Sequence, residues 1–146
     1  MTYKILIVDD SKLARMAVIR VLQQCWPECT RVEAGSADEA LSAMQSDPPH
    51  IALVDFNMPG TDGLRLAADL RKVDPAMPIA VVSANDQEEV VNRTHALGAT
   101  FLPKPLAEKA LTEFVESAIR NLQGVASSMA SNPLSFPSCS TTRLGR

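Results

Sequence analysis

Three acids, a hydroxyl and an amine each follow an apolar segment of this chain. Asp9 and Asp10 come directly after a first apolar run, and Asp55 follows a later one. Ser83 and Lys104 stand at or near the ends of two further runs. If these runs are parallel strands, their carboxyl ends meet at one edge of the sheet, where sites form in open α/β folds. We therefore expect the five side chains to converge.

Such a set of side chains suits metal-assisted phosphoryl chemistry. Crowded carboxylates repel one another, and a hard divalent cation relieves that repulsion. Mg²⁺ prefers carboxylate oxygens, carbonyls and water, so Asp10 and Asp55 are predicted as direct ligands, with Asp9 contributing directly or through water. One carboxylate can then act as a nucleophile toward phosphorus. The metal and Lys104 would neutralise the growing charge on the phosphoryl oxygens, and Ser83 would donate a hydrogen bond to one of them.

Each residue taken alone has an ordinary structural explanation. Asp10 by itself is more often a helix cap than a metal ligand. Ser83 by itself would indicate nothing, and Lys104 by itself would be an ordinary solvated lysine. The functional interpretation rests on the joint pattern, in which every member stands at the end of a strand.

The elements that must position these residues alternate along the first 123 residues. Apolar runs that read as strands alternate with segments whose apolar residues recur at helical spacing. The predicted strands are Lys4–Val8, Thr30–Ala34, Ile51–Val54, Pro78–Val82 and Ala99–Leu102. Five strand-helix units predict an α/β fold with a parallel sheet and helices on both faces. We expect a flavodoxin-like (βα)5 arrangement with strand order 2-1-3-4-5, in which the more polar second strand lies at an edge.

Several helix boundaries are also predicted from local signals. Asp10 or Ser11 can cap the first helix, and Ser36 with Glu39 forms a capping box for the second. Asn85 with Glu88 is predicted to cap the fourth helix in the same way. Gly98 is expected to end that helix.

Bulk composition describes an ordinary globular chain. Of its 146 residues, 46% are hydrophobic and 21% are charged, with a net charge of -3. That balance argues against a nucleic-acid-binding surface, and no apolar run is long enough to cross a bilayer. We expect a cytoplasmic protein with no membrane contact. Three cysteines without framework spacing predict reduced thiols.

The final 23 residues differ from the rest. Residues 124–146 are rich in Ser, Thr and Pro and show no periodicity. We interpret them as a disordered tail or the beginning of a linker. The predicted domain therefore covers residues 1–123.

Four segments of the chain resemble bacterial two-component response-regulator receiver domains, of the chemotaxis-type stand-alone kind. These segments are Ile7–Ser11, Val54–Gly63, Val82–Ala84 and Gly98–Pro105. The resemblance covers roughly residues 3–122. The second and fourth segments are the most specific.

The resemblance implies a phosphoacceptor and a magnesium site. Asp55 matches the phosphoacceptor aspartate of the family, which marks a phosphoprotein of phosphorelay signal transduction. Asp9 and Asp10 match the acidic pair that holds Mg²⁺ together with Asp55. Asn57 matches the position whose backbone carbonyl completes the metal site.

The resemblance also implies a conformational switch. Lys104 matches the lysine that pairs with the phosphoryl group, and its bond to Pro105 is expected to be cis. Ser83 matches the switch hydroxyl and Phe101 the switch aromatic, where many members have threonine and tyrosine. The face formed by the fourth helix, fifth strand and fifth helix is expected to change shape and regulate a protein partner, which the sequence does not identify.

Partners and alternatives follow from the same comparison. The implied donor is a sensor histidine kinase or a phosphotransfer protein, and no nucleic acid is expected to bind this chain alone. We expect no enzyme activity beyond assistance to its own phosphorylation and dephosphorylation. A phosphohydrolase would need an acid two residues after Asp55, where Asn57 stands. A phosphate-independent receiver-like interaction module remains an alternative, although such modules usually lose an acid or the lysine.

Overall fold

The sheet at the centre of the molecule has the predicted topology. A computed structural model describes residues 3–58 and 60–126. Its strands are β1 (Lys4–Val8), β2 (Thr30–Ala34), β3 (Ile51–Asp55), β4 (Asn57–Met58), β5 (Thr61–Asp62), β6 (Ile79–Ser83) and β7 (Thr100–Pro103). Five of them form a parallel sheet in the order β2-β1-β3-β6-β7. Counted within that sheet alone, the order is 2-1-3-4-5, with the second strand at an edge, as predicted.

The two remaining strands correct one detail of the sequence interpretation. The segment after Asp55 was expected to be a loop, but β4 and β5 pair as a two-residue antiparallel ladder. Asn57 pairs with Asp62, and Met58 pairs with Thr61. Strands this short carry no alternating pattern, so the sequence could not reveal the ladder.

Five helices cover both faces of the sheet, which confirms the flavodoxin-like α/β prediction. They are α1 (Lys12–Cys25), α2 (Ala37–Ser46), α3 (Gly63–Val73), α4 (Glu88–Ala96) and α5 (Glu108–Ala126). One apolar core packs α1 and α5 against residues such as Ile5 and Ile51. The other packs α2, α3 and α4 against residues such as Leu6 and Val54. Because β1 and β3 contribute to both cores, they carry apolar side chains on both faces of the sheet.

The helix ends confirm some predicted caps and correct one. Ser11 caps α1 by accepting a hydrogen bond from Ala14 N, and Ser36 caps α2 by accepting one from Glu39 N. The prediction for α4 was wrong. Its N-cap is Gln87, without a side-chain hydrogen bond, because the Asn85 side chain accepts from Gln87 N in the preceding loop instead.

Gly98 ends α4 as predicted. Its φ of 72° lies in the left-handed region, which a side chain rarely adopts. Ala99 N then donates to Thr94 O at 3.1 Å, which satisfies a terminal carbonyl of the helix.

The cysteine prediction is only partly correct. Cys29 is a free and buried thiol, and burial raises its pKa. Cys25 is disulfide-bonded, contrary to the expectation of reduced thiols.

Two further predictions meet the limits of the described residues. Among residues 3–58 and 60–126, no helix is long and apolar enough to cross a membrane. The predicted tail begins inside α5, which extends to Ala126. The remainder of that tail, residues 127–146, lies outside the described residues.

Candidate metal centre

Asp55 lies at the buried centre of the sheet's carboxyl edge. All five residues of β3 are buried, and the Asp55 side chain keeps only 4% of its surface exposed. Val8 pairs with Val54 on one side, and Asp55 pairs with Val82 on the other. The neighbouring strands therefore end beside Asp55, and they bring Asp9 and Ser83 to the same edge.

Three carboxylates meet there, as the sequence predicts. One carboxylate oxygen from each of Asp9, Asp10 and Asp55 lies within 4.8 Å of the other two. Asp55 is buried, Asp9 half-buried and Asp10 exposed, so the cluster opens to solvent on one side. Oxygen ligands at this spacing fit a hard divalent cation such as Mg²⁺.

The pKa of Asp9 is raised, chiefly by burial and further by the neighbouring acids. Burial raises its pKa above 3.8, and the nearby charges of Asp55 and Asp10 raise it further. The backbone N–H of Ser11 and the charge of Lys104 act in the opposite direction without cancelling the rise. The ionised form of Asp9 is therefore disfavoured at this position, and a bound cation would relieve this.

Lys104 reaches the buried carboxylate from β7's end. Its Nζ donates to Asp55 Oδ1 at 2.7 Å, and the Lys104 side chain is 33% exposed. Its backbone N–H donates to Ser83 O at 2.9 Å, which fixes the start of the loop to β6. The Lys104–Pro105 bond is cis, as the family resemblance implies. A cationic group thus stands against the predicted acceptor atom.

Ser83 is buried, but its hydroxyl is engaged within its own loop. The Oγ accepts a hydrogen bond from Asn85 N at 2.9 Å and lies 3.3 Å from Asn85 O, to which it donates. Phe101 is half-buried and packs against the α2–α3–α4 core. Asn57 is exposed in β4, two residues after Asp55. The switch roles of Ser83 and Phe101 and the carbonyl role of Asn57 stay predictions.

Gly63 supports the acceptor, although the sequence interpretation assigned it no role. A Cβ at this position would lie 2.3 Å from Asp55 O and 2.6 Å from Phe56 Cα. Gly63 N donates to Phe56 O at 2.7 Å. The start of α3 therefore presses directly on the backbone behind Asp55. A glycine placed directly before a run of helix-spaced apolar residues was the available signal, since glycine is costly inside helices.

A cavity of about 380 Å³ lies between α1 and α5 and opens at this site. Its walls include Val18 and Val21 of α1 together with Leu106 and Leu111. Asp9, Asp55 and Lys104 stand at its polar end. The charged groups therefore border a largely apolar space, where their mutual interactions are less screened than in water.

Comparison with known proteins identifies the family. Residues 5–116 match the model of the response regulator receiver domain. The chain is 35% identical over 119 residues to the glycerol metabolism activator of Pseudomonas putida, which covers 80% of this chain and 54% of that protein. It is 32% identical over 118 residues to the DNA-binding transcriptional regulator NtrC of Salmonella typhimurium, covering 80% of this chain and 25% of that one. The match thus spans about half or less of these relatives.

Solved structures agree with that assignment. Chemotaxis protein CheY4 of Vibrio cholerae superposes with a TM-score of 0.73 at 26% identity, covering 81% of this chain and 99% of that one. The receiver domain of NtrX from Brucella abortus gives a TM-score of 0.71 at 29% identity, covering 79% and 97%. The sequence match and the shared fold lead to the same conclusion, that this chain belongs to the response regulator receiver domain family of two-component systems.

Proposed function

We propose that this chain is a phosphoacceptor switch that takes a phosphoryl group on Asp55 in a Mg²⁺-dependent reaction. The observation that carries the proposal is the pairing of buried Asp55 with Lys104 beside two further acids. A charge pair alone would be a structural feature. Three carboxylates opposite one ammonium leave an excess of negative charge, which a divalent cation would balance.

The proposed metal ligands are Asp9, Asp10, Asp55 and the backbone carbonyl of Asn57. The clustered carboxylate oxygens fit such an ion. When bound, Mg²⁺ would supply positive charge to the oxygens of the transferring phosphoryl group. The residues themselves orient that group toward Asp55.

Asp55 acts as the nucleophile in this proposal. A carboxylate oxygen of Asp55 forms the new bond to phosphorus, and the bond between phosphorus and the donor group breaks. Lys104 already donates to Asp55 Oδ1, and it turns its ammonium to the phosphoryl oxygens as their charge develops. The donor is a sensor histidine kinase or a phosphotransfer protein. Asp55 and Lys104 assist only this chain's own phosphorylation and dephosphorylation, so it is not an enzyme acting on outside substrates.

Ser83 and Phe101 would pass the change to the surface formed by α4, β7 and α5. Up to about two negative charges enter the site with the phosphoryl group. The Ser83 hydroxyl would then leave Asn85, its present hydrogen-bond partner, and donate to a phosphoryl oxygen. Phe101 would fill the space vacated. A switch from 1% to 99% needs about 5.5 kcal/mol of differential stabilisation, and the altered face would regulate a protein partner.

Intact-mass measurement after incubation with acetyl phosphate tests the proposal. With Mg²⁺, the wild-type chain is expected to gain one phosphoryl group, and with excess EDTA it is expected to gain none. Asp55→Asn should gain none under either condition. The matched control is Asp38→Asn, which removes an exposed carboxylate in the first turn of α2 and should behave as wild type.

Failure with acetyl phosphate would be followed by trials with histidine kinases and phosphotransfer proteins as donors. If the folded wild-type chain gained no phosphoryl group from any of them, the chain would be a phosphate-independent interaction module. If Asp55→Asn were modified as fully as wild type, the acceptor would be another residue.

A further inference from the structure

Arg15 lies behind the acidic pair, on the first turns of α1. Its Nη1 donates to the backbone carbonyl of Asp9 at 2.5 Å. Its Nε donates to Glu33 Oε1 at 2.9 Å, and the Arg15 side chain is only 15% exposed. One guanidinium therefore ties the end of β1 to the end of β2. The sequence interpretation assigned Arg15 no role, because its two partners are distant in sequence or lie on the backbone.

The loop held by Arg15 is the one that carries the acids. Asp9 N donates to Ala34 O at 3.0 Å, and Ser11 N donates to Asp9 Oδ1 at 2.9 Å. The Asp9 backbone is thus fixed on its N–H side by β2 and on its carbonyl side by Arg15. With both sides held, the backbone that carries the acidic pair is positioned before any ligand arrives, and the Asp9 carboxylate is held as well by Ser11 N.

We propose that Arg15, held by Glu33, is a positioning residue for divalent-cation binding. It fixes the Asp9 carbonyl and thereby keeps the two neighbouring carboxylates aimed at a common point. Groups that orient metal ligands in this way typically change metal affinity 10- to 100-fold when they are removed. The inference rests on the proposed magnesium-dependent function, and it concerns only how the chain prepares the cation site.

Charge and geometry predict opposite effects at this position. Arg15 is a cation near a cation site, so by Coulomb repulsion alone its removal should strengthen binding of a divalent ion. If Arg15 acts by fixing the loop, its removal should weaken binding. The sign of the change therefore separates a positioning role from a purely electrostatic one.

Titration of the whole 146-residue chain with Mn²⁺ tests the inference without any phosphoryl donor. The free ion is measured by electron paramagnetic resonance. Arg15→Met is expected to raise the dissociation constant about tenfold. The matched control is Arg20→Met, which removes the same charge from an exposed position of the same helix and should shift the constant less than about twofold.

Two further variants separate charge from geometry. Arg15→Lys keeps the charge but lacks the planar fork that reaches two acceptors, so its binding should weaken nearly as much as that of Arg15→Met. Glu33→Gln removes a negative charge but keeps a carbonyl acceptor for Arg15 Nε, and it should weaken binding less than Arg15→Met does. Circular dichroism confirms that each variant is folded, and Arg15→Lys carries the test if Arg15→Met does not fold.

The inference is overturned if folded Arg15→Met binds Mn²⁺ as tightly as wild type or more tightly, or if Arg15→Lys matches wild type. If Arg15→Met does not fold, unchanged binding by folded Arg15→Lys alone overturns it. Failure of the wild-type chain itself to bind Mn²⁺ would instead refute the proposed magnesium-dependent function, and the inference with it.

Discussion

The two ends of the parallel sheet differ in how their charged side chains are compensated. At the carboxyl end, three carboxylates face the ammonium of Lys104. Near the amino end, the guanidinium of Arg71 is surrounded by backbone carbonyls. Nε donates to Leu97 O at 2.9 Å, and Nη2 donates to Gly98 O at 3.1 Å. Nη1 donates to Met77 O at 2.6 Å and to Pro75 O at 3.1 Å.

This difference separates stability from function. The Arg71 cluster joins the ends of α3 and α4 to the start of β6, and each of its hydrogen bonds is complete without a ligand. At the carboxyl end, burial and the neighbouring acids disfavour the ionised Asp9 carboxylate, as its raised pKa shows, and a bound cation would relieve this. We infer that the Arg71 cluster stabilises the amino end of the sheet while the carboxyl end changes its charge and conformation.

The largest expected loss of stability comes from removing the guanidinium of the Arg71 cluster. Arg71→Met leaves four carbonyls without their charged donor and should lower the free energy of unfolding by about 3 kcal/mol. Urea unfolding measures the change. The control Lys72→Met, at an exposed neighbouring position, should change it by under about 0.5 kcal/mol.

Arg71→Met should also leave the site intact in the molecules that remain folded. Their Mn²⁺ affinity is expected to match that of wild type, because the Arg71 cluster lies at the other end of the sheet. A loss of affinity comparable to that of Arg15→Met would show that the two ends are coupled, and the comparison would have to be abandoned.

Gly63→Ala should lower both the stability of the fold and the rate of phosphorylation at the carboxyl end of the sheet. The added Cβ would lie 2.3 Å from Asp55 O, so backbone must shift, at a cost of about 1–3 kcal/mol. The displacement of Asp55 should slow phosphorylation by acetyl phosphate as well. Intact-mass time courses and urea unfolding measure the two effects.

Gly98→Ala is the matched control at the amino end. Its positive φ makes alanine strained there by roughly 1 kcal/mol, without a change in the phosphorylation rate. Equal rates for Gly63→Ala and wild type would contradict the role given to the close approach of α3.

Asp9→Asn should have the smallest effect on the free energy of unfolding, and it should raise that free energy where the other variants lower it. Because the folded pKa of Asp9 is raised, the folded state holds this proton more tightly than the unfolded state. The ionised carboxylate therefore weakens the fold, and this penalty grows as pH rises through the folded pKa. Without metal, Asp9→Asn should be more stable than wild type at pH 7, by less than about 1 kcal/mol.

The pH dependence and the metal dependence of that difference are both measurable. Urea midpoints of the two proteins should converge as pH falls through the raised folded pKa of Asp9 toward its ordinary value of 3.8, because Asp9 becomes protonated. Added Mg²⁺ should stabilise wild type more than Asp9→Asn and reduce or reverse the difference at pH 7. If Asp9→Asn is less stable than wild type at pH 7 without metal, the ionised Asp9 carboxylate does not destabilise the fold.

Much of the fold could be predicted because its signals are local. Each strand is a short apolar run, and the Ser36 cap of α2 lies within four residues, although Glu39 accepts from Gly35 N and not from Ser36 N as a capping box would require. The acids at the ends of two strands could be assigned to one edge, since parallel strands present their carboxyl ends together. Asn85 shows the limit of such signals, because its side chain had two possible partners nearby and turned to Gln87 N within the loop.

The sequence by itself determined the alternation of strands and helices, the sheet's buried centre and the convergence of Asp9, Asp10, Asp55 and Lys104, because hydrophobic periodicity and chain direction suffice for these. The strand order was expected only by analogy with flavodoxin-like folds, and the structure established it. Only the tertiary structure decided which groups support these features. Arg15 meets Glu33 across 18 positions, and Arg71 meets Leu97 across 26. No local pattern marks such partners, since their contact exists only after the helices have packed on the sheet and a buried or half-buried polar group has taken the nearest acceptor.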